Sequence, residues 1–132
     1  MVATRYSFIN AKIFNYDTIS IIMIEGIGVD IEEIQRFKTR KIEKFLNSVF
    51  TKREIAYCEN KKDPSMSLAG KFCAKEAVIK ASKKALSPRE IEILNKKDGK
   101  VKVYISGSYK KNILCSISHT KRNAIAFVII SA

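Results

Sequence analysis

Two acidic residues stand where carboxylates could carry out chemistry. Asp30 ends an apolar segment that is typical of a short strand, and Glu76 lies inside a segment with helical character. Lys71, Lys75 and Lys80 belong to that second segment, so several cations lie near one carboxylate. When Mg2+ is shared with a phosphate substrate, its ligands are one or two carboxylates together with water and phosphate oxygens. The pattern therefore suits phosphate chemistry assisted by a divalent cation.

Simpler roles are open for the same residues. Asp30 could be the N-cap of a following helix, a role worth about 1 kcal/mol. Glu76 and Lys80 have the spacing of an exposed helical ion pair, which contributes about 0.2–0.5 kcal/mol. Spacing alone favours these roles, and nothing in the sequence by itself brings Asp30 and Glu76 together.

The elements that must position these residues begin with a strand. Residues 24–30 are typical of a short strand, in which Gly26 and Gly28 permit close approach of another backbone. Apolar residues at helical spacing then predict a first helix over residues 31–46. Asp30 would therefore lie where the strand gives way to the helix.

Two further helices follow in the prediction. Thr51 and Glu54 have the spacing of a capping box, which marks the start of a second helix. The longest helix is expected to begin at Ser65 or Ser67 and to run to about Leu86. This helix would carry Glu76 and the neighbouring lysines.

The last third of the chain has the apolar period of strands. Asp98-Gly99 is a turn signal between two alternating segments, and a second hairpin should pair residues 113–118 with 124–130. The final strand is apolar in both alternating sets, so we expect both of its faces to be covered, and another subunit could supply one cover. The order of strand, helices and hairpins predicts a single α+β domain over residues 23–132.

Residues 1–22 differ from this domain. They are rich in hydroxyl-bearing residues, poor in acidic ones and lack a clear period. An extension or an upstream start without a separate function is the simpler interpretation, and a segment that targets the chain to an organelle is the alternative.

Composition limits the class of partner. The net charge of +12 over 132 residues predicts an anionic substrate or partner, which could be nucleic acid, a membrane surface, a polyphosphate or an acidic protein. No apolar run approaches the roughly 20 residues that span a bilayer. Three scattered cysteines and one histidine make a poor zinc site and are typical of a reduced cytosolic protein.

Four segments, taken in order, carry a family resemblance. They are GIGVDI (26–31), FLNSVFTKRE (45–54), LAGKFCAKEA (68–77) and SISHT (116–120). Together they resemble the holo-acyl-carrier-protein synthase family of 4'-phosphopantetheinyl transferases, from about residue 23 to the C-terminus. The resemblance implies an α+β fold in which one long helix and further helices pack on an antiparallel sheet. It also implies a homotrimer with active sites between subunits.

The resemblance further implies an activity. Such an enzyme acts in the cytoplasm and uses Mg2+ to transfer 4'-phosphopantetheine from coenzyme A to a serine of an apo-acyl carrier protein. Asp30 and Glu76 match the family's metal-binding carboxylates, and Lys80 matches the lysine associated with the transferred phosphate. These three form the implied catalytic set. The implied coenzyme A-binding residues are Lys71, Lys75, Lys80 and His119. The implied residues for docking the acidic carrier protein are Arg36, Lys41 and Lys44.

The chain departs from the family pattern in three places. Lys71 replaces an arginine, Ser48 replaces a basic residue, and residues 81–88 lack the glycine of a loop near coenzyme A. These departures keep open a homologue that docks carrier proteins without catalysis, although retention of Asp30, Glu76 and Lys80 argues against it. A basic nucleic-acid-binding protein is the other rival, but the sequence lacks a helix-turn-helix, an RNA-binding aromatic signature and a zinc knuckle. We therefore expect neither nucleic acid nor a membrane as partner.

Overall fold

A computed structural model of the chain describes residues 6–9, 12–15, 22–39 and 43–132. These residues form eight strands and four α-helices. The strands are β1 (Tyr6–Ile9), β2 (Lys12–Asn15), β3 (Ile24–Glu33), β4 (Ile91–Asn95), β5 (Val101–Ile105), β6 (Ser108–Tyr109), β7 (Ile113–His119) and β8 (Asn123–Ser131). The helices are α1 (Gln35–Thr39), α2 (Glu43–Val49), α3 (Lys52–Glu59) and α4 (Pro64–Ala81).

The strands form three antiparallel sheets, which confirms the predicted α+β class. One sheet has the order β3-β8-β7, a second has the order β4-β5-β6, and β1 pairs with β2. Helix α4 lies on the first sheet, where the buried residues Ala124, Ala126 and Val128 of β8 face it. Within the described part of the chain, no helix combines the length and the apolar character that a membrane span requires.

The prediction of a helix over residues 31–46 is wrong. Ile31, Glu32 and Glu33 continue β3 and pair with β8 in antiparallel register. Their backbone groups are satisfied by this pairing, and the helical structure that follows is the two short helices α1 and α2. Asp30 therefore lies within a strand and is not a helix N-cap.

The ends of α3 and α4 are fixed by local hydrogen bonds. The predicted capping box is confirmed, because the Glu54 amide donates to Thr51 Oγ1 and the Thr51 amide donates to a Glu54 carboxylate oxygen. Helix α4 starts earlier than expected, since Asp63 accepts a hydrogen bond from the Met66 amide and is its N-cap. The helix ends at Ala81, before the predicted end near residue 86.

Two glycines of β3 let α4 lie directly on the strand. A Cβ atom at Gly28 would lie 2.0 Å from the carbonyl oxygen of Ala77, and one at Gly26 would lie 1.9 Å from that of Ala81. Because real Cβ contacts are longer, backbone meets backbone here and the predicted close approach is confirmed. Asp30 comes next on the same face of β3, so its side chain also meets α4.

Both predicted hairpins are present, but the last strand is covered on one face only in the protomer. Ile125 and Phe127 of β8 are 40% and 45% exposed, so the chain itself covers one face, and cover of the other face by a second subunit stays a prediction. Alternate residues of β3 and β7 share this face. We call this surface the open sheet face; its exposed members are Ile27, Val29, Ile31, Leu114, Ile125 and Phe127.

The segment 1–22 contains β1 and β2, which pair with each other. The sequence predicted no regular element there. The boundary at residue 22 stays a prediction.

Candidate active site

Contact between β3 and α4 brings Asp30 and Lys80 together. Lys80 Nζ lies 2.9 Å from Asp30 Oδ1 and donates a second hydrogen bond to the Val29 carbonyl oxygen at 3.0 Å. The hydrogen bond and charge of Asp30 raise the pKa of Lys80. The simpler view of Lys80 as a helix-surface cation paired only with Glu76 is therefore wrong.

Glu76 completes this cluster from α4. Burial raises the pKa of Glu76, and the negative charge of Asp30 raises it further, while Lys80 opposes both. Two carboxylates that influence each other in this way lie in one electrostatic environment. The structure therefore unites Asp30, Glu76 and Lys80, which the sequence alone did not bring together.

One oxygen of Asp30 lacks a partner. Oδ2 is buried and accepts no hydrogen bond from the described residues. A buried acceptor without a partner costs about 1–3 kcal/mol, so such atoms are uncommon and often mark a ligand site. Among the described residues no group of three or more acidic, histidine or cysteine side chains is arranged to hold a metal ion. An ion held by Asp30 and Glu76 would thus need water or phosphate oxygens as its other ligands, which is the coordination that suits Mg2+.

Lys75 precedes this cluster in sequence but lies in the protein interior. Its ammonium group is fully buried and lies 2.7 Å from Glu54 Oε2. It also donates to the carbonyl oxygens of Val49, Pro88 and Ile91 at 2.8, 3.0 and 2.6 Å. Burial lowers the pKa of Lys75, against the charge of Glu54. An enclosed ammonium group reaches no ligand, so the implied role in coenzyme A binding does not fit this structure.

Lys71 and His119 line a second site, a cleft of about 690 Å³. Lys71 is only 2% exposed, and its Nζ donates to the Ile93 carbonyl oxygen and to Asn95 Oδ1 at 2.6 and 2.7 Å. Burial lowers the pKa of Lys71, and its ammonium group lies 4.4 Å from the centre of the Tyr57 ring. Other polar lining residues are Ser67, Lys96, Asp98, Lys100 and Ser116.

The cleft and the carboxylate cluster lie on different sides of α4. Lys71 and Glu76 are five positions apart, which is about 140° around a helix of 3.6 residues per turn. The chain therefore has two separate sites, one with the carboxylates and one with the cleft.

The implied docking cations lie at the start of the helical region. Arg36 Nη1 lies 2.6 Å from Glu32 Oε2, and this Arg36 side chain is about half exposed. Lys44 is exposed on α2. Lys41 lies outside the described residues.

Sequence reasoning missed the partners of the buried lysines. Glu54 was identified only as a capping residue, yet its Oε1 also accepts from the Ile93 amide at 2.8 Å. One signal was present in the sequence, because Lys71, Lys75 and Val78 follow one another at helical spacing on the side of α4 that is buried. A lysine in such a stripe must find partners inside the protein.

Comparison with known proteins identifies the family. Residues 26–128 match the model of the 4'-phosphopantetheinyl transferase superfamily. The chain belongs to this superfamily. The predicted resemblance is thereby confirmed, and the matched range includes Asp30, Glu76, Lys80 and His119.

Relatives within the 4'-phosphopantetheinyl transferase superfamily share one name. A holo-(acyl-carrier-protein) synthase from Thermodesulfovibrio yellowstonii is 49% identical over 116 residues, covering 83% of this chain and 100% of the relative. Among solved structures, a Bacillus anthracis holo-(acyl-carrier-protein) synthase in complex with CoA (3',5'-ADP) has a TM-score of 0.72 at 31% identity and covers 83% of this chain and 98% of its own. The Helicobacter pylori enzyme in complex with coenzyme A has a TM-score of 0.65 at 31% identity and covers 80% and 99%.

Proposed function

We propose that this chain is a Mg2+-dependent holo-acyl-carrier-protein synthase. It transfers 4'-phosphopantetheine from coenzyme A to a serine of an apo-acyl carrier protein and releases adenosine 3',5'-bisphosphate. The cluster of Asp30, Glu76 and Lys80 carries this proposal, because it joins two carboxylates, a cation and a buried oxygen without a partner. The names of the relatives support the same reaction, and two solved relatives hold coenzyme A or its nucleotide.

Asp30 and Glu76 would hold Mg2+ in this proposal. Asp30 offers Oδ2, and Glu76 offers a carboxylate whose pKa is raised by burial and by the negative charge of Asp30. When bound, the ion would neutralise charge on the pyrophosphate oxygens of coenzyme A. Two acidic ligands from one strand and one helix form a rigid pair, because Gly26 and Gly28 lock the two backbones together.

Lys80 would act on the phosphates. Its side chain is 53% exposed, so the ammonium group can turn from Asp30 toward a bound phosphate without breaking the core. In the reaction, the carrier serine oxygen forms a bond to the β-phosphorus of coenzyme A, and the bond from that phosphorus to the bridging oxygen breaks. The leaving phosphate stays on adenosine 3',5'-bisphosphate, where a nearby ammonium group stabilises its new charge. The serine proton passes to a carboxylate of the site or to water held there.

The cleft supplies the second half of the proposed coenzyme A site. His119 is exposed there and can donate to phosphate oxygens. The buried Lys71 donates a hydrogen bond to Asn95 and so fixes the position of this cleft residue. Because the cleft and the carboxylates lie on different sides of α4, one coenzyme A is best accommodated between neighbouring subunits. The open sheet face supports such a homotrimer, since a contiguous exposed apolar face typically marks a protein interface. The mass of the protein in solution is the direct check.

Charge supports an acidic carrier protein as the partner. A net charge of +12 attracts an acidic protein and speeds its encounter with the enzyme at low salt. Arg36, Lys44 and Lys41 are the proposed docking cations. Three free cysteines fit a reducing compartment, so we place the enzyme in the cytoplasm, with residues 23–132 as its transferase domain and 1–22 as an extension.

The test is the mass of the carrier protein. Apo-acyl carrier protein, coenzyme A and Mg2+ are incubated with the chain, and intact mass spectrometry records the addition of one phosphopantetheine. Asp30→Ala, Glu76→Ala and added EDTA should each reduce the rate by about 10³-fold or more, since each removes a group that stabilises charge in the transition state. No mass gain with several apo-carriers, in a protein that still binds them, would point instead to a docking homologue. Binding of oligonucleotides without Mg2+ or coenzyme A would favour the nucleic-acid alternative.

A further inference from the structure

The corner between β3 and α1 contains an ion pair whose two ends differ in exposure. Glu32 Oε2 and Arg36 Nη1 are 2.6 Å apart, and their side chains are 12% and 47% exposed. Glu32 lies at the end of a strand and Arg36 in the following helix, so the pair spans a turn and is not a pair along one helix. The carboxylate is held in the protein, while the guanidinium group faces outward.

The position of Arg36 depends on this ion pair. Helix α1 has only five residues, and isolated helices much shorter than about 12 residues have little stability of their own. An exposed arginine on such a helix samples many rotamers, and ordering it on binding a partner costs free energy. A fixed carboxylate beneath the guanidinium group removes part of that cost before the partner arrives.

Glu32 in turn depends on Arg36 as its counter-charge. It lies two residues after Asp30 on the same face of β3, and its negative charge acts on Glu76. If Arg36 left, a largely buried carboxylate would remain beside two others without a counter-charge, which is unfavourable. A partner should therefore bind to the pair rather than displace Glu32. Arginine has five N–H donors in a planar fork, so one oxygen of Glu32 leaves donors available to a second carboxylate.

We infer that Glu32 is a positioning residue for the carrier protein: it holds Arg36 so that the outward donors of the guanidinium group meet an acidic side chain of the partner. This inference rests on the proposed function and names how its docking surface is ordered. Because Glu32 lies on β3, the carboxylate that holds the docking cation is roughly 7 Å along the strand from Asp30, at about 3.4 Å per residue. The residue that positions the docking cation and the proposed metal ligand Asp30 thereby belong to the same strand.

A model based only on net charge predicts the opposite result. Glu32 is negative and the partner is acidic, so removing the carboxylate should strengthen binding if long-range repulsion were its only effect. Glu33 is the matched control, because it is the next residue of β3, it is exposed and it points to the other face. The two substitutions separate positioning from charge by the sign of their effects.

The experiment measures transfer to an apo-acyl carrier protein for Glu32→Ala, Glu32→Gln, Glu33→Ala, Arg36→Ala and the double variant Glu32→Ala/Arg36→Ala. Glu32→Ala should raise KM for the carrier about 3–10-fold, with kcat and the KM for coenzyme A within about twofold of the unmodified chain. Glu32→Gln should give a smaller rise, since the amide oxygen still accepts from Arg36. Glu33→Ala should leave KM unchanged or lower it. In the Arg36→Ala background, Glu32→Ala should no longer raise KM.

Two results would overturn the inference. One is a KM for the carrier that falls or stays constant in Glu32→Ala, and the other is the same rise with Arg36 already removed. The affinity for the carrier is also measured directly by calorimetry without coenzyme A. A chain that transfers nothing would refute the proposed function, while the same order of affinities among these variants would still decide the role of Glu32. Thermal unfolding of each variant excludes a general loss of folded protein.

Discussion

Helix α4 contributes a lysine to each of two ion pairs that are built for different purposes. Lys75 and Glu54 are 2.7 Å apart and fully buried, and Lys80 and Asp30 are 2.9 Å apart with Lys80 half exposed. In the interior pair, both carboxylate oxygens have further donors and the ammonium group has three backbone carbonyls. In the other pair, Asp30 Oδ2 is buried without a partner.

The difference shows how the same residue types can serve stability or binding. A pair whose polar atoms are all satisfied has no capacity left for a ligand, and it fixes α4 against α3 and β4. A pair with an unsatisfied oxygen beside another carboxylate keeps that capacity at some cost to the unliganded protein. Their separation around α4 keeps the two roles apart, and five single substitutions, two of them matched controls, test how independent they are.

The largest effect should come from breaking the interior pair. Lys75→Met leaves Glu54 as a buried charge without its counter-charge and removes the donor of three carbonyl oxygens. Loss of one partner of a buried ion pair typically costs about 3–5 kcal/mol. We expect urea unfolding to show a loss of this size, with part of it recovered in Lys75→Met/Glu54→Gln.

Lys80→Met is the matched control for this comparison. Its side chain is half exposed, and an ion pair with an exposed partner contributes little to stability. Asp30 is only 13% exposed and loses its counter-charge, so Lys80→Met should destabilise the protein, but less than Lys75→Met does, while losing transfer activity. Equal stability of Lys75→Met and Lys80→Met would contradict the division into an interior pair and a binding pair.

A smaller effect should come from the contact that places α4 against β3. In Gly28→Ala the new Cβ would lie 2.0 Å from the Ala77 carbonyl oxygen, and a backbone atom cannot move aside as a side chain can. We expect a loss of about 3 kcal/mol, near the upper part of the usual range for overpacking. The shift of α4 from β3 should also separate Asp30 from Glu76. Gly28→Ala should therefore have a lower kcat than the unmodified chain under conditions in which both are fully folded.

Gly70→Ala tests whether this effect is specific to the strand contact. Its Cβ would meet only the Ile117 side chain at 3.0 Å, and alanine favours a helix by about 1 kcal/mol over glycine. These effects oppose each other, so the unfolding free energy should change by about 1 kcal/mol or less. A loss in Gly70→Ala as large as that in Gly28→Ala would mean that the close approach at β3 has no special importance.

The sequence predicted the parts of this fold that local chemistry determines. The capping box of Thr51 and Glu54, the turn at Asp98-Gly99 and the close approach at Gly28 all follow from residue type and short spacing. It also predicted the α+β class, and the resemblance to the transferase family gave Asp30 and Glu76 their proposed role. Each of these signals lies within a few neighbouring residues.

What the sequence did not predict depends on distant partners. Ile31 stands at helical spacing from Ile34 and Phe37, but pairing with β8 makes residues 31–33 part of a strand. Lys75 is a lysine in a family motif, and only the packing of α4 against α3 and β4 shows that its ammonium group is enclosed. The contact between Glu32 and Arg36 likewise depends on the turn between β3 and α1. In each case tertiary contacts decide among local alternatives.

The smallest expected effect concerns the stability of the metal-free protein. The pKa of Glu76 is raised above its ordinary value of 4.5 by burial and by Asp30. At a pH between 4.5 and the raised pKa, Glu76 holds a proton in the folded protein that it has lost in the unfolded chain. The stabilising contribution of protonated Glu76 therefore disappears as pH rises through the raised pKa. Above the raised pKa the ionised Glu76 therefore opposes folding, and solvent screening keeps this effect small because the group is partly exposed.

Glu76→Gln should thus stabilise the metal-free protein at pH 7 while abolishing transfer. The gain should vanish below pH 4.5, where Glu76 is protonated in the folded and unfolded states alike. Urea unfolding at several pH values, with and without Mg2+, measures both effects. Mg2+ should stabilise the unmodified chain, because it binds the folded state, and should have little effect on Glu76→Gln. A variant that is less stable than the unmodified chain without Mg2+ would mean that Glu76 is a structural partner like Glu54, and the contrast between the two regions would fail.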